Sequence, residues 1–145
     1  MIRFLDLYKQ DKNLHNNMLK KIKHLFINGD FILGKEVEKF EKNFSKFCGA
    51  KYSISCANGT DALTLALKSL ALPYNSEVIM PAMTYCSTAF AIINAGLKPI
   101  LADIESNTPT IDIDEIKKKI TRKTRVIMPV HLYGSVANIN MIKKI

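Results

Sequence analysis

Residues 51–70, KYSISCANGTDALTLALKSL, constrain the fold of this chain more tightly than any other stretch. Tyr52-Ser53-Ile54-Ser55-Cys56 alternates apolar and polar residues, which predicts a short strand over 52–56. The alternation breaks at Asn58-Gly59-Thr60. Ala62, Leu63, Leu65, Ala66, Leu67 and Leu70 then follow at a density that predicts a largely buried helix. Strand, tight polar turn and helix together aim free backbone N–H groups at an anion. Asn58 and Thr60 are the two candidates for the helix cap, and Gly59 lets a ligand approach the backbone. Asp61 would sit beside a bound anion, so its side chain is expected to point away and leave only its N–H to help.

The 145 residues suffice for one domain with a real core. At 48% hydrophobic and 23% charged they are those of a soluble globular protein. The net charge of +8 raises nucleic-acid binding as a function. Against it, Lys greatly outnumbers Arg and is spread along the chain. The densest groups, Lys117-Lys118-Lys119 and Lys20-Lys21-Ile22-Lys23, fall on expected helix faces without interleaved aromatics for stacking bases. Cys48, Cys56 and Cys86 show no metal-binding spacing and read as reduced thiols. The N-terminal run has no apolar signal core, and no run is long enough to span a bilayer. A cytoplasmic location is expected, with no metal and no membrane partner.

Ile2, Phe4, Leu5 and Leu7 make an apolar start. A helix is predicted over 13–27, with Leu14, Met18, Ile22, Leu25 and Phe26 on one face, and a second over 35–47, with Val37, Phe40, Phe44 and Phe47 at helical spacing. Gly49 stands where a left-handed helix end belongs. From residue 51 strands and helices alternate. Strands are predicted over 77–80, 99–104 and 125–130. Helices are predicted over 87–95, from Asp112 or Asp114 to Ile120, and from Asn138 onward. This order predicts an α/β fold, a mainly parallel sheet with helices on both faces. The division expected is an N-terminal helical segment, 1–50, before an incomplete large domain, 51–145. The last residues stop inside an amphipathic pattern, which predicts the front part of a longer protein.

Gly29 to Glu36 is a near match to the P-loop pattern. Glu36 replaces the hydroxyl that would hold Mg²⁺, and a helix precedes the run where a strand belongs, so an NTPase is excluded. No G-x-G-x-x-G exists, and the dinucleotide fingerprint is absent too. In open α/β sheets ligands gather at the carboxyl ends of strands. The groups there are Asn58-Gly59-Thr60, Thr84-Tyr85 and His131-Leu132-Tyr133. Tyr85 either stacks on a flat ring beside the anion or packs on the core. His131 reads as a core histidine and Asp103 as a turn carboxylate.

The runs FILGKEVEKFEKNFSKFCGAKYSISCANGTDALTLALKSL, EVIMPAMTYCSTAFAIINAGLKPILADIESNTPTIDIDEI and TRKTRVIMPVHLYG, in this order, resemble the DegT/DnrJ/EryC1/StrS family. These are pyridoxal-phosphate-dependent sugar aminotransferases of fold type I (aspartate-aminotransferase-like), and the resemblance covers the family's N-terminal part. It implies that the amides of Gly59 and Thr60, with Thr60 Oγ1 as an added donor, bind the cofactor phosphate and that Tyr85 stacks on its pyridine ring. It places Phe31 to Glu36 near a substrate entrance between two subunits and Pro129 to Gly134 beside the cofactor. For the complete enzyme it implies a nucleotide-sugar substrate, an amino donor (glutamate) and a homodimer. One departure is Leu72-Pro73-Tyr74-Asn75-Ser76, where the family has a Gly-rich turn. The larger one is that the family's Schiff-base lysine and the Asp that pairs with the pyridine nitrogen have no matching position here. No catalytic residue is therefore assigned, and the expectation is an inactive fragment. The alternative is a non-catalytic binding or assembly partner of a full-length homologue.

Overall fold

The computed structural model describes Phe4, Lys9 and residues 12–145. Of the apolar start, Ile2, Leu5 and Leu7 lie outside the described residues. The chain divides into two compact units, Met1–Ser55 and Cys56–Ile145.

The first unit holds two helices, α1 (Lys12–Asn28) and α2 (Lys35–Cys48). Gly49 ends α2 with φ +65°, and the amides of Gly49 and Ala50 donate to the carbonyls of Lys46 and Ser45. Lys21 of α1 and Lys39 of α2 both donate to the Glu36 carboxylate, each at 2.8 Å. Lys21 first, then Lys39, holds the Glu36 carboxyl down at about 2. Both lysines are well exposed, so the pairs add little stability. Phe40, Phe44 and Phe47 line up along α2 with successive ring centroids 5.5 and 6.3 Å apart. They remain exposed, and no residue of α2 is buried.

The junction between α1 and α2 differs from a phosphate cradle for a geometric reason. A Cβ at Gly34 would overlap the Asp30 carboxylate, and Asp30 Oδ2 accepts from the Lys35 amide at 3.2 Å. The glycine makes room for the chain's own acid. Asp30, Glu36 and Glu38 line the cavity of about 610 Å³ there together with Lys35 and Lys39, and Lys39 is already paired with Glu36.

Residues 52–56 form no strand. The Ser55 amide donates to Glu41 Oε1 at 2.7 Å, so a side chain takes the place of a neighbouring strand. Alternation describes an extended backbone, but a strand also needs a ladder partner.

The second unit opens with α3 (Gly59–Ser69) and continues with β1 (Glu77–Pro81), α4 (Ser87–Asn94), β2 (Lys98–Ala102), α5 (Ile113–Lys119), β3 (Thr124–Ile127) and α6 (Ile139–Ile142). The three strands form one parallel sheet in the order β2-β1-β3. The predicted α/β fold is present, and helix packing covers both faces. Val78 and Met80 point to one face and pack with Leu67 of α3, Ile92 of α4 and Leu97. Ile79 points to the other and packs with Ala102, Ile111 and Ile116, with Ile142 of α6 against them. Every residue of β1 is buried, as a central parallel strand requires.

Predicted and observed element ends differ by at most three residues, most where a ladder fades. β3 ends at Ile127, although the Met128 amide still donates to the Ile79 carbonyl at 2.8 Å. Asp112 caps α5 and decides between the two candidate starts: one carboxylate oxygen accepts from the amides of Asp114 and Glu115.

One buried carboxylate ties the strand starts together. Glu77 is 6% exposed, accepts from Thr121 Oγ1 and lies 3.5 Å from Lys98 Nζ. The Thr121 hydrogen bond lowers its pKa, burial opposes this, and Lys98 and Lys123 reinforce it. A lowered folded pKa stabilises above the unfolded value of 4.5 and is lost as pH falls through the folded one. Glu77→Gln is therefore expected to lower Tm at pH 7, with the gap to the parent closing below about pH 4.5 in thermal melts. An equal gap at pH 7 and pH 3 would show that the charge plays no part.

Candidate functional site

Neighbouring strands β1 and β3 send the chain to opposite faces of the sheet. After β1 it enters α4, whose Ile92 packs with Val78 and Met80. After β3 it reaches α6, whose Ile142 packs against the Ile79 side. Such a parting leaves a crevice beyond the carboxyl ends of the two strands. A cleft of about 630 Å³ lies there. Gly59, Thr60 and Leu63 from α3, Thr84 and Tyr85 after β1, and Val130 and Leu132 after β3 line it.

The start of α3 sets the donors of this cleft. Asn58 is the cap, not Thr60. Its Oδ1 accepts from the Asp61 amide at 2.9 Å, and its Nδ2 donates to Asp61 Oδ2 at 3.0 Å. The first N–H groups of a helix have no acceptor within it. Asp61 has spent its amide on Asn58, which corrects the expectation that this amide serves a ligand. Gly59 and Thr60 keep theirs: no acceptor among the described residues takes either one. Asp61's carboxylate is held by Asn58 and is not among the cleft-lining groups.

Gly59 is the first residue of the helix and needs no left-handed backbone. A Cβ built on it meets nothing within 4 Å, so the position faces open space. Thr60 is half-buried. Its carbonyl accepts from Thr64 Oγ1 at 2.9 Å, in line with the helix. Tyr85 is 75% exposed and lines the cleft, so the reading of it as a core-packing aromatic does not hold.

Thr84 was named in the sequence only together with Tyr85, and Thr88 was not singled out. Their hydroxyls lie 3.0 Å apart, and Thr88 is buried. The pair ties the segment before α4 to its first turn and so holds the backbone on either side of Tyr85. Two hydroxyl residues four apart across a helix start are a signal that would have found them.

His131 is exposed and does not line the cleft. Its Nδ1 accepts from the Ala137 amide at 3.0 Å, so its ring proton sits on Nε2. Between them Tyr133 (φ +50°) and Gly134 (φ +82°) make a tight reversal closed by Leu132 and Ser135. The histidine closes a loop rather than filling the core. Asp103 is a turn carboxylate, accepting from the Ile104 amide at 2.8 Å. No group of three His, Cys, Asp or Glu among the described residues is placed to hold a metal ion. No described helix is long and apolar enough to cross a membrane.

The model of the DegT/DnrJ/EryC1/StrS aminotransferase family matches residues 12–145. The chain belongs to this family. Among its relatives, the dTDP-3-amino-3,6-dideoxy-alpha-D-galactopyranose transaminase of Aneurinibacillus thermoaerophilus is 41% identical, over 99% of this chain and 40% of its own length. The UDP-2-acetamido-2-deoxy-3-oxo-D-glucuronate aminotransferase of Pseudomonas aeruginosa is 39% identical, over 100% of this chain and 40% of its own. The chain thus spans about 40% of the length of these curated relatives. Among solved structures, S. venezuelae DesV in complex with a ketimine intermediate superposes with a TM-score of 0.90 at 33% identity, covering 99% of this chain and 38% of DesV. NtdA from Bacillus subtilis with bound cofactor PMP gives 0.89 at 35%, covering 99% and 33%. The fold is that of the family's pyridoxal-phosphate aminotransferases, present here in part.

Asn58→Ala removes the cap of α3 and is expected to cost about 1 kcal/mol, while Asn58→Ser, which keeps an acceptor without setting a second carboxylate against Asp61, restores most of it. Urea unfolding of the three proteins checks this. Equal losses in both variants would mean that the cap is not what holds the helix start.

Proposed function

We propose that the cleft is the phosphate end of a pyridoxal 5'-phosphate site, and that residues 51–145 are part of the cofactor-binding large domain of a sugar aminotransferase. The observation that carries this reading is the pair of unclaimed amides at Gly59 and Thr60 opening on a cleft beside the exposed ring of Tyr85. The donor set fits the group. Two N–H groups and the positive end of a helix suit a phosphate dianion, and Thr60 Oγ1 adds a third donor. Tyr85 offers a face for the pyridine ring. When bound, the cofactor supplies an electron sink for amino-group transfer. The protein's part here is to anchor the phosphate and hold the ring plane against Tyr85.

The complete enzyme would use this site to move an amino group onto a keto-sugar nucleotide, with glutamate as donor, in a cytoplasmic homodimer. The names of the relatives support the substrate class. These 145 residues do not turn over by themselves. No lysine and no carboxylate is among the residues that line the cleft, so nothing there moves a proton at the substrate carbon or pairs with the pyridine nitrogen. A second reading, a non-catalytic assembly partner of a full-length homologue, draws on the exposed stripe of Phe40, Phe44 and Phe47. Under it the homologue covers that stripe.

Titration with pyridoxal phosphate, followed by its near-ultraviolet absorption, tests the site. Thr60→Ala is expected to weaken binding about tenfold, and Tyr85→Ala about threefold to tenfold. Unchanged affinity in both variants would sink the assignment. Transamination of a keto-sugar nucleotide by the isolated chain would refute the inactivity.

A further inference from the structure

The strand starts, at the opposite edge of the parallel sheet from the cleft, carry a second concave site. It measures about 370 Å³ and lies between the turn at residues 73–76 and the side chains of Arg122, Lys123 and Arg125. No carboxylate lines it.

Its walls are fixed. The Ser76 amide and hydroxyl both donate to the Pro73 carbonyl, at 3.1 and 2.7 Å. Asn75 adopts φ +64° and donates its amide to the Gly96 carbonyl at 2.8 Å. Tyr74 lies against Gly96, whose missing Cβ leaves the ring its place, and the ring is otherwise 86% exposed.

The cations are arranged by the backbone. Glu77 of β1 pairs with Thr124, but Val78 pairs with Val126, so Arg125 is the extra residue of a bulge. Bulges re-aim a side chain out of the regular ladder. Arg125 Nη1 then donates to the carbonyls of Arg122 and Thr124, at 2.9 and 3.0 Å. That fixes one edge of the guanidinium and leaves its other N–H groups free of the backbone. Among the described residues neither Arg122 nor Arg125 is ion-paired with a carboxylate. Glu77, which follows the turn at 73–76, is buried and held by Thr121 and Lys98.

We propose that this concavity binds a small polyphosphate, a di- or triphosphate either free or carried by a nucleoside, independently of the cofactor cleft. Three cations around one acid-free hollow match the charge of such an anion. An orientated guanidinium engages phosphoryl oxygens through a two-pronged contact that lysine cannot make. Tyr74 provides a ring face at the rim for a nucleoside.

The test uses the ¹⁵N-labelled chain titrated with sodium tripolyphosphate and, separately, with ATP. Amide shifts are expected at Asn75, Ser76, Arg122, Lys123 and Arg125, with Gly59 and Thr60 unmoved. The Arg122→Ala/Lys123→Ala double variant is expected to lose at least about tenfold in affinity by calorimetry. Lys42→Ala/Lys46→Ala, which removes the same formal charge from α2, is expected to lose less than about twofold. Tighter binding of ATP than of tripolyphosphate assigns the hollow to nucleotides, and equal binding assigns it to the bare anion. The absence of binding, shifts confined to Gly59 and Thr60, or equal losses in both double variants would overturn the proposal.

Discussion

β1 is the constraint on which the rest of the second unit depends. All five of its residues are buried, and it pairs in parallel with β2 on one side and β3 on the other. A parallel strand flanked on both sides forces the connections to cross over the sheet, since no tight hairpin can join parallel neighbours. Successive residues of one strand therefore meet two separate cores, Val78 and Met80 with Ile92, and Ile79 with Ile116. Where the crossings part, a cleft is left that β1 itself cannot fill. The start of α3 meets that cleft with two amides its own cap does not use.

Much of this order was legible in the chain. Short apolar runs between turn residues marked the sheet strands, because a strand buried on both faces reads as a continuous apolar segment. Gly59, Thr60 and Tyr85 were grouped by the expectation of a shared strand-end edge and by the family resemblance, although no strand precedes Gly59. What escaped reading was pairing. Residues 52–56 have the alternation of a strand but no ladder, since alternation is a property of one segment and a ladder of two. The Asp61 amide was given to a ligand when Asn58 takes it, a choice settled by an oxygen position that residue type does not encode. Arg125 was one cation among many until the bulge singled it out. His131 looked like a core histidine, yet it is exposed and holds a loop closed through Ala137.

The charge of the chain follows the same division between the generic and the built. Lys117 and Lys118 face Asp114 and Glu115 one turn away on α5, which is the solvated helix face expected of such runs. These pairs are exposed and weak. Glu77 differs because it is buried, and because three cations or hydroxyls from other segments converge on it. Basic composition alone thus says little. Position relative to a strand start or a bulge decides which cations are available to a ligand.

The direct measurement is an amide spectrum of the chain with pyridoxal phosphate and with pyridoxal, which has the ring but no phosphate. Shifts at Gly59 and Thr60 are expected with the phosphate ester and not with pyridoxal. Equal shifts with both compounds, or shifts at neither amide, would contradict a phosphate seat at the start of α3.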